Sequence, residues 1–260
     1  MKTSIYNLFI NLYRIKRDGI IGSYYSTLRS LSSTTPSPLN LDDVKKVLVV
    51  APHPDDDVLG CGGTLFVLKE RGYYGETIFL TNGKKSGAVE SDEISTTRRN
   101  EALKGSEKLG IKKSHFLGYH DFRLKPDKNA VNFVLSRLNE IKPDMVFTPF
   151  FMENHSDHRA TAKILALAAN QYNGDFLCCC YELWSTLIPN YIVDITPFME
   201  RKISAIKCHE SQTNETDLID LARGLNRYRA IVSGQPFQYA EAFFAVSKKK
   251  YISLSAQFKK

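Results

Sequence analysis

Short apolar runs rich in β-branched and aromatic residues recur between residues 45 and 183, and a segment of helical periodicity follows each of the first four. The first, "KKVLVVAP" (45–52), reads as a strand buried on both faces. A helix over 60–71 follows and stops at Gly72. The strand "ETIFLTNG" (76–83) leads into a helix over 91–110 that ends at Gly110. Then come the strand "SHFLGY" (114–119), a helix over 127–141 stopped before Pro143, the strand "DMVFTPF" (144–150), a helix over 157–172, and a fifth strand, "DFLCCCYEL" (175–183). This alternation predicts an α/β protein of three α/β/α layers around a mostly parallel sheet. Ligands of such sheets bind past the carboxyl ends of the strands, near the point where strand order reverses. No internal repeat is present. From residue 205 the pattern is less regular, and "KKKYISLSAQFKK" (248–260) reads as a solvated basic tail.

The remaining features bound the setting. A chain of 260 residues with 43% hydrophobic residues can bury a core of ordinary size. Residues 41–260 read as one domain and 1–40 as an N-terminal extension ending in the linker-like "SSTTPSPLN". Within that extension Ile5, Leu8, Phe9, Leu12 and Tyr13 share one helical face, with Arg14, Lys16 and Arg17 close behind. A helix packed on the domain or on a neighbouring subunit is expected, with peripheral membrane association as the alternative. No run is long and apolar enough to span a bilayer, and no signal-peptide pattern opens the chain. Five cysteines without paired CxxC spacing, three of them consecutive, read as reduced and buried, which favours the cytoplasm. The net charge of +7 is not gathered into a strip interleaved with aromatics, which argues against nucleic acid as a partner.

Two polar clusters interrupt this regular chain. The first strand runs straight into "HPDDD", placing His53, Asp55, Asp56 and Asp57 just beyond its carboxyl end. The fourth runs into "NHSDHRAT", with His155, Asp157 and His158. First and fourth strands are neighbours at the reversal point in the usual order, so the clusters should meet. Mixed imidazole and carboxylate ligands suit Zn2+. His53 and Asp56, three apart, can be aimed at one point by a tight turn, and His158 at a helix start completes a set of three. Asp55 is then a spare carboxylate able to take a proton from a water that the metal acidifies. His155 is left to donate a hydrogen bond to an oxyanion or to protonate a leaving amine, with Asp157 holding it in its cationic form or correct tautomer. Asp57 and Ser156 could instead be helix caps. His115 and His120 read as structural, and Cys61, between Gly60 and Gly62, as small packing at a tight turn. The stretch "GCGGTL" lacks dinucleotide-binding spacing.

"PHPDDDVLGCGG" and "HSDHRAT" resemble the two motifs of the LmbE-like, or PIG-L, deacetylases. The resemblance extends through "TRRNEALKGSEKLG" and "ELWSTLIPNYIVDIT" and covers roughly residues 45–245. It implies a Rossmann-like fold and a zinc-dependent amidase that removes acetyl groups from N-acetylated amino sugars. Carried over by motif, it makes His53, Asp56 and His158 the metal ligands, Asp55 the general base, and His155 the oxyanion stabiliser and acid, with Asp157 behind it. It also makes Arg98, in an RxxE element with Glu101, and Asp121, in "GYHD", substrate-binding residues. Without the resemblance, Arg98 and Glu101 read as an ion pair on a helix surface and Asp121 as a turn residue. The chain departs from the family pattern in carrying Asp57 where Glu is usual and Ser156 where Pro is common.

The expected substrate is therefore an N-acetylglucosamine-type sugar used in glycan or glycoconjugate biosynthesis. The basic charge mildly favours a nucleotide- or lipid-linked form. A metal-dependent phosphoesterase and a non-catalytic sugar-binding relative are the alternatives. Oligomeric state is not legible.

Overall fold

The computed structural model describes residues 35–257 apart from 84, 87, 88 and 91, together with Gly19 and Gly22. The N-terminal helix expected from Ile5 to Tyr13 lies outside the described residues, as does any membrane contact it would make. No helix among the described residues is long and apolar enough to cross a membrane.

Eight strands form one sheet: β1 (Ser37–Pro38), β2 (Lys46–Ala51), β3 (Tyr74–Thr81), β4 (Lys113–Tyr119), β5 (Met145–Pro149), β6 (Leu177–Tyr181), β7 (Tyr191–Asp194) and β8 (Ala240–Ser247). Their spatial order is β1-β7-β8-β6-β5-β2-β3-β4. The five strands legible in the sequence, β2 to β6, pair in parallel in the order β4-β3-β2-β5-β6. Strand order thus reverses between β2 and β5, whose carboxyl ends carry the two polar clusters. Beyond them β8 pairs antiparallel with both β6 and β7. Ser37 and Pro38, inside the stretch read as linker, pair in parallel with β7 at the sheet edge.

The helices are α1 (Asp56–Glu70), α2 (Asp92–Leu109), α3 (Lys128–Ile141), α4 (Ser156–Gln171), α5 (Met199–Ile206), α6 (Leu218–Val232) and α7 (Lys248–Ser255), with a short turn at Glu210–Thr213. Gly72 and Gly110, at φ of 74° and 84°, lie just past α1 and α2, a backbone state that favours glycine. The core has two faces because strand side chains alternate. Val47, Val49 and Ala51 of β2 face one cluster with α1 and α5, whereas Leu48 and Val50 face the other with α3, α4 and α7.

Two expectations fail at the C-terminal end. The residues after 205 are regular, forming the turn at Glu210–Thr213, α6, α7 and the fully inserted strand β8. "KKKYISLS" is not a solvated tail: it forms α7, with Tyr251 at 0% and Leu254 at 1% exposure, and the Tyr251 hydroxyl donates to Ala162 O at 2.7 Å. Three consecutive lysines obscure an apolar stripe one turn long, and only the packing against α4 reveals it.

Candidate active site

The first cluster is shaped by the tight strand-to-helix turn after β2. His53 O accepts from Asp55 N at 2.9 Å and from Asp56 N at 3.3 Å, which reverses the chain into α1. The helix starts at Asp56, earlier than the periodicity indicates, with Asp55 at its N-cap making no capping bond. Small residues then let α1 sink onto its neighbours. A Cβ on Gly60 would lie 2.4 Å from the Tyr181 ring, and one on Gly63 would lie 2.6 Å from Ile195. Cys61 is fully buried and its thiol donates to Asp57 O, so it packs as expected.

The second cluster opens α4. His155 is the N-cap, and its Nδ1 accepts from Asp157 N at 3.2 Å. Neither Asp57 nor Ser156 is a cap; both lie inside their helices. The His53, His155 and His158 ring centroids stand 4.7 to 5.4 Å apart, and one nitrogen from each lies within 4.8 Å of the others. A second such group joins His53 to Asp121 and Asp157.

Asp56 Oδ2 lies between two of these rings, 3.0 Å from His53 Nδ1 and 3.4 Å from His158 Nε2. Metal bonds of about 2.0–2.2 Å in a tetrahedron set ligand atoms about 3.3–3.6 Å apart, so these contacts are close to the spacing a small divalent cation needs. His158 is fully buried, and neither of its ring nitrogens has a hydrogen-bond partner among the described residues. Burial opposes a charge on His53, yet Asp56 and the contact to Asp157 outweigh it and push the imidazole up to about 10. Burial likewise acts against ionisation of Asp56, but His158 and His53 hold its carboxyl well below the usual range. The pocket therefore favours a cation among these side chains, and the donor set fits a metal of the zinc class.

Asp157 differs from its expected place. Its carboxylate does not reach the His155 ring. Oδ2 sits 3.3 Å from His53 Nε2 and accepts from Phe122 N at 2.6 Å, while Oδ1 accepts from Leu124 N at 3.3 Å. Asp157 therefore orients His53 with its side chain and His155 with its backbone. Phe122, at φ 60°, holds a left-handed backbone that is strained for an aromatic residue, and its ring centroid lies 4.6 Å from that of His155. Burial, then His53 and His158, push His155 down to about 4, so its ring is neutral at pH 7. With Nδ1 accepting, the proton of that neutral ring resides on Nε2.

Arg98 is not a helix-surface residue. It is 4% exposed, its Nη2 is 3.2 Å from Asp55 Oδ2, and its Nη1 donates to Gly83 O at 3.2 Å. Gly83, at φ 64°, passes so close that a Cβ would meet the guanidinium at 2.7 Å. Glu101 instead accepts from Ser211 N and Oγ. Asp121 is buried and its Oδ1 accepts from Gly83 N at 3.1 Å. Asp57 turns away: Oδ1 accepts from Val58 N, Oδ2 has no partner among the described residues, and burial pushes the carboxyl up to about 8. Outside the site, His115 pairs with Glu76 at 2.7 Å in the structural role expected, and His120 is exposed. Glu153 and Phe122 escaped the sequence reading. Glu153 lies two residues before His155, but no spacing rule marks it.

Comparison with known proteins is consistent with this geometry. The sequence pattern of the GlcNAc-PI de-N-acetylase (PIG-L) family matches residues 48–169. The diacetylchitobiose deacetylase of Thermococcus kodakarensis is 32% identical over 213 residues, covering 74% of this chain and 79% of that protein. The probable N-acetyl-alpha-D-glucosaminyl L-malate deacetylase 2 of Bacillus cereus is 27% identical, over 65% of this chain and 84% of its own length. Among solved structures, the N,N'-diacetylchitobiose deacetylase from Pyrococcus horikoshii, in complex with an inhibitor, superposes with a TM-score of 0.71 at 31% identity, covering 80% of this chain and 86% of that one.

Proposed function

Because the chain belongs to the GlcNAc-PI de-N-acetylase (PIG-L) family, we propose that it hydrolyses the acetamide of an N-acetylated amino sugar, releasing acetate and the free amine. The observation that carries this reading is the convergence of His53, Asp56 and His158 beside an additional carboxylate, Asp55, held by Arg98. His53 Nδ1, Asp56 Oδ2 and His158 Nε2 would hold the metal, and zinc suits their mixed nitrogen and oxygen character. A zinc held there supplies Lewis acidity for the amide carbonyl and makes a neighbouring water acidic near pH 7.

The chain's own groups do the rest. Asp55, oriented by Arg98, takes the proton of the attacking water. His155 donates from Nε2 to the oxyanion that develops on the carbonyl oxygen. A histidine pushed down to about 4 is a hydrogen-bond donor rather than an acid at neutral pH, so the proton reaching the departing nitrogen comes from Asp55. The C–N bond breaks, and acetate leaves with the oxygen of the water. Arg98 and Asp121, close to this point, are the residues for sugar hydroxyls. The buried, unpaired thiols of Cys61, Cys178, Cys179 and Cys180 support a cytoplasmic setting. The charge of +7 supports a nucleotide- or lipid-linked substrate of glycan or glycoconjugate biosynthesis.

Acetate release from a panel of free, nucleotide-linked and lipid-linked N-acetylhexosamines tests this, with zinc content measured alongside. About one zinc per chain with acetate release is expected. Two metals per chain with phosphate release would favour a phosphoesterase, and sugar binding without turnover a non-catalytic relative.

A further inference from the structure

Glu153 lies in the loop between β5 and α4, at 1% exposure. Its Oε1 accepts from three consecutive backbone amides, Leu183 N at 2.7 Å, Trp184 N at 3.1 Å and Ser185 N at 3.3 Å. Among the described residues its Oε2 has no hydrogen-bond partner and lies 3.9 Å from His158 Nδ1, which has none either. Arg159 Nη1 fixes this loop by donating to the carbonyls of Glu153 and Asn154. A carboxylate is costly to bury unless both oxygens are used. Here one oxygen has three donors, and the other faces His158 Nδ1 at 3.9 Å.

We propose that Glu153 is a positioning residue with two arms, one setting the tautomer of His158 and the other holding the Trp184 loop at the rim of the site. The first arm rests on the metal-centred reading above. Oε2, an acceptor, keeps the His158 proton on Nδ1 and so leaves the Nε2 lone pair free on the Asp56 side. Asp157 does the same for His53 from the opposite flank, so each imidazole beside Asp56 has its own buried carboxylate. The second arm reaches the surface. Phe122, Met152 and Trp184 are 57%, 40% and 44% exposed, and each lies three residues past the end of a strand, β4, β5 and β6. They are apolar groups at the edge of the sheet where a substrate must enter. Glu153 ties the last of them to the donor set.

Trp184 is the only tryptophan in the chain, so its emission reports the second arm directly. Glu153→Gln separates the two arms. Its carbonyl can still accept from residues 183–185, but its amide then faces Nδ1 as a donor and drives the His158 proton onto Nε2, the wrong nitrogen for ligation. Chelator competition should show zinc affinity lowered about 10–100-fold in Glu153→Gln with Trp184 emission unchanged. Glu153→Ala should lose as much affinity and shift the emission to longer wavelength. Wild-type affinity in Glu153→Gln overturns the first arm, and unchanged emission in a folded Glu153→Ala overturns the second. Zinc affinity is read without turnover, so this proposal and the deacetylase reading fall separately: a wild type that holds zinc but releases no acetate contradicts only the latter. A wild type that takes up no zinc overturns the first arm.

Discussion

One helix, α1, carries two buried charged clusters that are built in opposite ways. At its middle, Lys202 Nζ donates to Leu59 O at 2.8 Å, Asn226 Oδ1 at 3.0 Å and Glu241 Oε1 at 2.6 Å. Glu241 in turn accepts from Gly63 N, Thr64 N and Thr64 Oγ1 at 2.6 to 2.8 Å. An ammonium has three protons, and all three have partners. The pair is spliced into the helix, since Leu59 O and Gly63 N are the two ends of one helical rung. At the N-terminal end of the same helix, His158 Nε2, 3.4 Å from Asp56 Oδ2, is equally buried and has no hydrogen-bond partner among the described residues. The contrast separates two uses of buried charge. A saturated network locks packing, whereas an unsaturated one is complete only with a ligand, and its strain is borne by the rest of the fold.

The two clusters should therefore fail differently. The largest effect expected is on Asp55→Asn, with kcat lowered about 10²–10⁴-fold, while zinc content and Tm stay near wild type. Steady-state acetate release and calorimetry on one preparation would check it, and a collapse in Tm would erase the contrast. Next, Glu241→Ala leaves Lys202 buried and unpaired. It should cost about 3–5 kcal/mol, a fall in Tm on the order of 10 °C, with kcat per folded molecule within about twofold of wild type. Denaturant unfolding gives the first quantity and active-site titration the second. His155→Gln should lower kcat about 10²–10³-fold with little change in KM, as loss of an oxyanion donor requires. An equal rise in KM would make it a substrate-binding residue instead.

A last effect sharpens the comparison through pH. The Asp57 carboxyl ionises near 3.8 when unfolded but is pushed up to about 8 in the fold. A raised carboxyl favours the fold while protonated, so its contribution declines as pH rises from about 4 towards 8. Asp57→Asn removes that loss. In chelator-treated protein its Tm should match wild type near pH 4 and exceed it increasingly as pH rises towards 8. A Tm gain at pH 4 equal to that at pH 8 would refute ionisation of Asp57 as the cause.

Much of this was legible because the informative signals are local. The alternation from residue 45 to 183 specifies a parallel sheet through periodicities of two and 3.6, and β2 to β6 follow it closely. The two motifs identify His53, Asp55, Asp56, His155, Asp157 and His158 because each lies directly past a strand, and a parallel sheet brings such ends together. Pairings between distant segments were not legible. The sequence offers Glu101 as the neighbour of Arg98, three residues on, yet folding gives Arg98 to Asp55 and Glu101 to Ser211. Asp157 lies two residues from His155 but turns its carboxylate to His53, which is 104 residues away. The C-terminal strand β8 resembles no partner in sequence, and it becomes central only because β6 leaves an open edge beside it. Residue type and spacing thus determined the fold class and the chemistry on offer. Which carboxylate faces which imidazole, and which buried charge is left without a partner, was decided by tertiary packing alone, since a hydrogen bond depends on direction and distance in space rather than on separation along the chain.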